Sequence, residues 1–112
     1  MPSPKALRFT GAQVRCRPDG GAKIRTSTRS ASGQALQNLI LGWAGGSPAG
    51  NELYGRDCFD QPGCWEWNLS FEAVKDLRHG LMAQIHEPRR FDSSAAQTAR
   101  AKRLLAAIDA CG

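Results

Sequence analysis

Six cations stand at strand-like spacing early in the chain: Arg8, Arg15, Arg17, Lys23, Arg25 and Arg29. Guanidinium forks match carboxylates and phosphates through paired hydrogen bonds. A sheet face carrying all six would be a docking surface for phosphates or for an acidic protein face. An ordinary solvated face carries both signs, and this run carries one. A second group is aromatic: Tyr54, Trp65 and Trp67, with Trp43 and Phe59. Tryptophan and tyrosine dominate binding energy at interfaces, so an exposed aromatic in the region 47–67 would anchor a partner. The plainer alternative puts Trp43 in a helix core and the others against the sheet. Trp65 and Trp67 are two apart, so any strand turns them to the same side.

Other chemistry is thinly represented. His79 and His86 lie seven apart on one helical stretch, where a helical metal site wants spacing of i, i+4 and a nearby carboxylate. Cys58 and Cys64 bracket a Pro-Gly turn, a spacing that zinc knuckles do not use. No nucleophile elbow, H-E-x-x-H or P-loop occurs. A hydrolytic carboxylate pair would have to come from Asp57, Asp60 and Glu66. Catalytic residues, metal and cofactor are therefore expected to be none. The four cysteines, Cys16, Cys58, Cys64 and Cys111, read as reduced thiols of a cytosolic protein, with Cys58 and Cys64 the one close pair able to oxidise.

Positioning the cations requires a hairpin over 6–29. Leu7 and Phe9 alternate with Arg8 and Thr10, the phase slips at Gly11-Ala12 as at a β-bulge, and Val14 and Cys16 resume it. Pro18-Asp19-Gly20-Gly21 has turn chemistry, and Ile24, Thr26 and Thr28 form one face of the returning strand. A loop Asp19-Gly20-Gly21 would set Cys16 opposite Ile24, Arg17 opposite Lys23 and Arg15 opposite Arg25, stacking like charges with no acid in the hairpin to offset them. A helix over 33–43 follows, capped by Ser32, with Leu36, Leu39, Ile40 and Trp43 as its apolar stripe. Residues 44–67 form a Gly/Pro-rich aromatic loop, within which Cys64–Leu69 alternates enough to add a third strand. Helices over 71–87 and 95–110 complete the chain. The first is capped by Ser70 and buries Phe71, Val74, Leu77, Leu81 and Ile85. The second is capped by Ser94 with Gln97 in a capping box, and turns Arg100 and Arg103 outward. Gly80, inside a helix, suggests close approach of a neighbour, since glycine there costs up to about 1 kcal/mol relative to alanine.

The chain has 112 residues, 41% hydrophobic, with a net charge of +5. That suits a single α+β domain, a β-hairpin packed on three helices. The charge is asymmetric: residues 1–51 carry seven cations and one acid, and residues 52–112 carry eight cations and nine acids. No apolar run reaches the roughly 18 residues of a membrane span, and Met1-Pro2-Ser3-Pro4-Lys5 opens no apolar segment, so the expectation is a cytoplasmic protein without membrane contact. Its function is expected to be non-catalytic: docking of a nucleic acid, a ribonucleoprotein or an acidic protein surface through the hairpin, as monomer or homodimer. That character is similar in kind to phage- or mobile-element-encoded inhibitors of host machinery, anti-CRISPR proteins among them. The alternatives are a ribbon-type DNA-binding regulator, and a small enzyme or metal-binding domain using the loop acids or His79 and His86.

Overall fold

A computed structural model describes residues 13–45, 54–60 and 62–110, and shows the expected α+β architecture. Its strands are β1 (Gln13–Cys16), β2 (Ala22–Ser27), β3 (Tyr54–Asp57) and β4 (Cys64–Leu69); its helices are α1 (Ala31–Ala44), α2 (Phe71–His86) and α3 (Ala95–Asp109). The strands form one antiparallel sheet in the order β1-β2-β4-β3. The expected beginning of the hairpin's first strand, with Leu7, Arg8, Phe9 and the bulge at Gly11-Ala12, lies outside the described residues.

The hairpin turn is one residue earlier than its chemistry suggested. Arg17 N–H donates to Gly21 O at 2.9 Å, and Gly20 N–H donates to Arg17 O at 3.1 Å. The loop is thus Pro18-Asp19-Gly20, with Gly20 at φ +88°. A three-residue loop ending in a left-handed glycine is a standard hairpin closure. Gly21 N–H also donates to the Asp19 carboxylate at 2.9 Å, which favours this placement. Partners therefore shift by two, and Val14 faces Ile24 while Arg15 faces Lys23. Because side-chain parity has period two, the faces are preserved although the pairs are not.

β3 is a correction to the expected loop. Tyr54-Gly55-Arg56-Asp57 has no apolar alternation, but it pairs with β4 as an edge strand. Gly55 is needed there, because a β-carbon would fall on the Trp65 indole. α1 begins two residues earlier than expected, since the hydroxyl accepting from Gly33 N–H (3.0 Å) belongs to Ser30 and not Ser32. The Ser70 cap and the Ser94–Gln97 capping box stand as read.

All three helices pack on one side of the sheet. The core between them holds Ile24, Leu36, Ile40, Leu69, Leu77, Leu81 and Leu104, none exposed. Each such side chain contributes about 1.5–3 kcal/mol on burial. Phe71 departs from the expected stripe: it is exposed and lies over the hairpin turn at Gly20. Trp43 packs its ring on Gly80, where no β-carbon would fit, which explains that helical glycine.

The cysteines also differ from expectation. Cys58 and Cys64 form a disulfide, and Cys16 is disulfide-bonded as well. The Cys58–Cys64 bond closes a seven-residue turn between β3 and β4, whose ends Cys58 N–H to Cys64 O (3.1 Å) already brings together. No helix among the described residues is long and apolar enough to cross a membrane.

Candidate functional site

The side of the sheet away from the helices is open. Strand register places Gln13 and Arg15 of β1, Lys23 and Arg25 of β2, Glu66 and Asn68 of β4, and Arg56 of β3 on it. Tyr54 stands opposite Asn68 in the same register. Trp65 and Trp67 have the other parity. Trp67 is buried, Trp65 packs against the same core, and the two rings meet edge-on with centroids 6.2 Å apart. Trp67 is a core residue and Trp65 is half-buried at its edge, so both stand on the helix side of the sheet, away from the open face. Arg8 lies outside the described residues.

The open face carries both signs, whereas the sequence suggested a single one. Glu66, 7% exposed, sits between two cations: Arg25 Nε at 3.0 Å and Arg56 at 3.6 Å. Arg25 also binds Asp60 at 2.8 Å. Arg17 is held at the turn by Asp19, and donates to the Asn68 side-chain oxygen. The β3–β4 hairpin thus carries acids from the second half of the chain onto the basic ribbon. Four cations (Arg15, Lys23, Arg25, Arg56) against two carboxylates (Glu66, Asp60) leave a net +2. The like-charged pair that survives is Arg15–Lys23, directly cross-strand. Such a pair costs a few tenths of a kcal/mol to about 1 kcal/mol. Neither residue has an ion pair within 4.0 Å among the described residues, although Asp60 feels the charge of Arg15. A polar depression of about 310 Å³ runs beside them, lined also by Arg25 and Glu66.

One end of this face bears an aromatic anchor. Phe59, inside the Cys58–Cys64 turn, is fully exposed. The next residue, Asp60, ties the turn to Arg25, Thr28 N–H donates to Gly63 O at 3.0 Å, and Arg29 lies over Gly63. The turn is therefore braced from three sides while its largest apolar group faces solvent. The sequence offered one signal for this, an aromatic between two cysteines six apart, but alternation drew attention to the tryptophans instead. His79 and His86 are both exposed, and no group of three or more potential metal ligands occurs among the described residues.

The turn acids set a pH dependence. The Arg17 side chain, followed by Gly21 N–H, holds the Asp19 carboxyl below its ordinary 3.8, and Arg25 does the same to Asp60. A carboxyl whose folded value is depressed adds stability above its unfolded value, and that stability is lost as pH falls through the folded value. Melting temperature should therefore fall more steeply for the wild type than for an Asp19→Asn/Asp60→Asn variant as pH drops below about 4. Parallel curves from pH 5 to pH 2 would show that these pairs contribute nothing.

Comparison of the chain with protein-family models, with curated proteins and with solved structures returns no match.

Proposed function

We propose that the protein is a non-catalytic docking module whose open sheet face and braced Phe59 turn bind a protein partner presenting an apolar pocket rimmed by carboxylates. The observation that carries this reading is the fully exposed Phe59 in a disulfide-closed turn, next to Asp60, which pairs with Arg25 on the same open face as Arg15 and Lys23. Exposed aromatic rings fixed before binding lose little entropy on contact and act as hot spots. The surrounding cations would steer and register an acidic rim.

A nucleic-acid partner is less favoured, because Glu66 at the centre of the face and Asp60 at its edge would both confront phosphates. The disulfides point the same way. Thiols stay reduced in most cytosols, so this reading places the working protein in an oxidising compartment and not in the cytoplasm expected from sequence.

The test is selection of a displayed random-peptide library on the oxidised protein, with duplex and single-stranded oligonucleotides as parallel probes. Selected peptides should carry Asp or Glu flanking a leucine or aromatic residue. Arg15→Glu/Lys23→Glu should weaken them about 100-fold, and Phe59→Ala about 10- to 100-fold. Both sites are on the surface, so the fold should survive. Oligonucleotide binding that falls steeply with salt and ignores Phe59 would replace this reading with a phosphate-backbone one.

A further inference from the structure

A second site lies on the opposite side of the molecule and does not depend on the docking reading. α1 turns Ala35, Asn38, Leu39 and Gly42 to one side, at i, i+3, i+4 and i+7, which is a single helical face. That face is not covered by the sheet. With Trp43, Phe91 and the first turns of α3 it encloses a cleft of about 330 Å³. This is at the lower end of small-molecule sites, about 300–1,000 Å³.

The walls are fixed. Trp43 Nε1–H donates to Gln84 Oε1 (2.9 Å), Gln84 Nε2–H donates to Ser93 Oγ (3.0 Å), and Ser93 Oγ lies 2.9 Å from Thr98 Oγ1. The Trp43 ring meets Phe91 edge-on at 5.2 Å, and Arg90 covers Phe91 from outside at 5.6 Å. The aromatic side of the cleft is thus locked by a chain of satisfied hydrogen bonds.

The opposite lip is an excess of donors. Gln97 spends its side-chain oxygen on Ser94 N–H at 2.8 Å, which leaves its amide N–H groups. Arg100 also lines the cleft, and its Nε is buried without a hydrogen-bond partner. Arg100 was expected to be an outward helix residue. Arg100 is half-buried and no hydrogen bond or ion pair occupies its terminal guanidinium N–H groups among the described residues, so these are what the side chain can offer an anion in the cleft.

We infer that this cleft is a binding site for a small aromatic monocarboxylate, its carboxylate on Arg100 and the Gln97 amide and its ring against Leu39, Trp43 and Phe91. The open space at Gly42, where a β-carbon would meet nothing within 4 Å, is where the ring enters.

Phenylacetate is the probe, with phenylacetamide as the neutral isostere and acetate as the ringless control, followed by two-dimensional nitrogen–proton NMR. Phenylacetate should shift the Trp43 indole N–H while those of Trp65 and Trp67 stay in place. It should bind at least about tenfold more tightly than either control. Arg100→Gln should lose about tenfold, and Gly42→Leu should block the cleft with an unchanged circular dichroism spectrum. Equal binding of phenylacetamide, equal binding to the Arg100→Gln protein, or shifts that miss Trp43 would each overturn the inference, as would no shift at all in the wild type.

Discussion

Gly80→Ala and Gly33→Ala should each lower stability by about 2–3 kcal/mol, whereas Gly42→Ala should raise it by up to about 1 kcal/mol. The three glycines sit in helices, where alanine is intrinsically better by roughly 1 kcal/mol. Their surroundings decide the sign. A β-carbon on Gly80 would enter the Trp43 ring, which cannot swing aside without breaking its bond to Gln84 and its contact with Phe91. A β-carbon on Gly33 would fall on the backbone carbonyl of Ser27, where α1 crosses the end of β2. Overpacking of this kind usually costs about 1–3 kcal/mol, and contact with backbone leaves little room for relief. Gly42 faces open space, so there only the helix propensity acts. For a chain of this size, melting temperature moves by about 4 °C per kcal/mol. Calorimetry should therefore find Gly80→Ala and Gly33→Ala roughly 10 °C below the wild type and Gly42→Ala a few degrees above it. A rise in all three would mean that the helices stand off from their neighbours.

These glycines also mark where sequence reading worked and where it stopped. The helices were legible because caps and apolar periodicity are local: Ser70, Ser94 and the Leu36–Ile40 pair speak for themselves. Gly80 signalled close approach for the same reason, although nothing local could name Trp43 as the neighbour. The sheet was legible in parity only. Alternation assigned Ile24 and Arg25 to opposite faces, but register depends on which glycine takes the left-handed turn position, which is Gly20, with Gly21 N–H donating to the Asp19 carboxylate. β3 was invisible because an edge strand buries little and Gly55 answers to an indole ten residues away. The face was misjudged for a deeper reason. Charge asymmetry along the chain says nothing about which strand will lie beside which, and the order β1-β2-β4-β3 sets Glu66 against Arg25. Phe59 was grouped with the other aromatics but not singled out from them, because exposure of an aromatic has no periodic signature.

That strand order makes Arg25 the worst place to probe the docking face, and Arg25→Glu should cost about 3–5 kcal/mol of stability. Glu66 is nearly out of solvent, and its closest cation is Arg25 at 3.0 Å. Reversal would set two carboxylates side by side with only Arg56, at 3.6 Å and largely exposed, to hold them. Removing one partner of a buried pair strands a charge, whereas replacing both with apolar side chains of similar volume is often neutral. Arg25→Met/Glu66→Met should therefore recover most of the loss, and Arg56→Ala should cost less than about 1 kcal/mol, as exposed pairs do. Denaturant unfolding of the wild type and these three variants checks all three values. If Arg25→Glu unfolded at the wild-type midpoint, Glu66 would have to be reaching water, and the central acid that disfavours a phosphate partner would no longer be fixed in the face. Lost binding with lost stability would then be separable from lost binding alone, which is the outcome expected for Arg15→Glu/Lys23→Glu. There the cations being reversed have no ion-paired acid among the described residues, so reversal exchanges one like-charged cross-strand pair for another and leaves stability nearly unchanged while it removes attraction for an acidic partner.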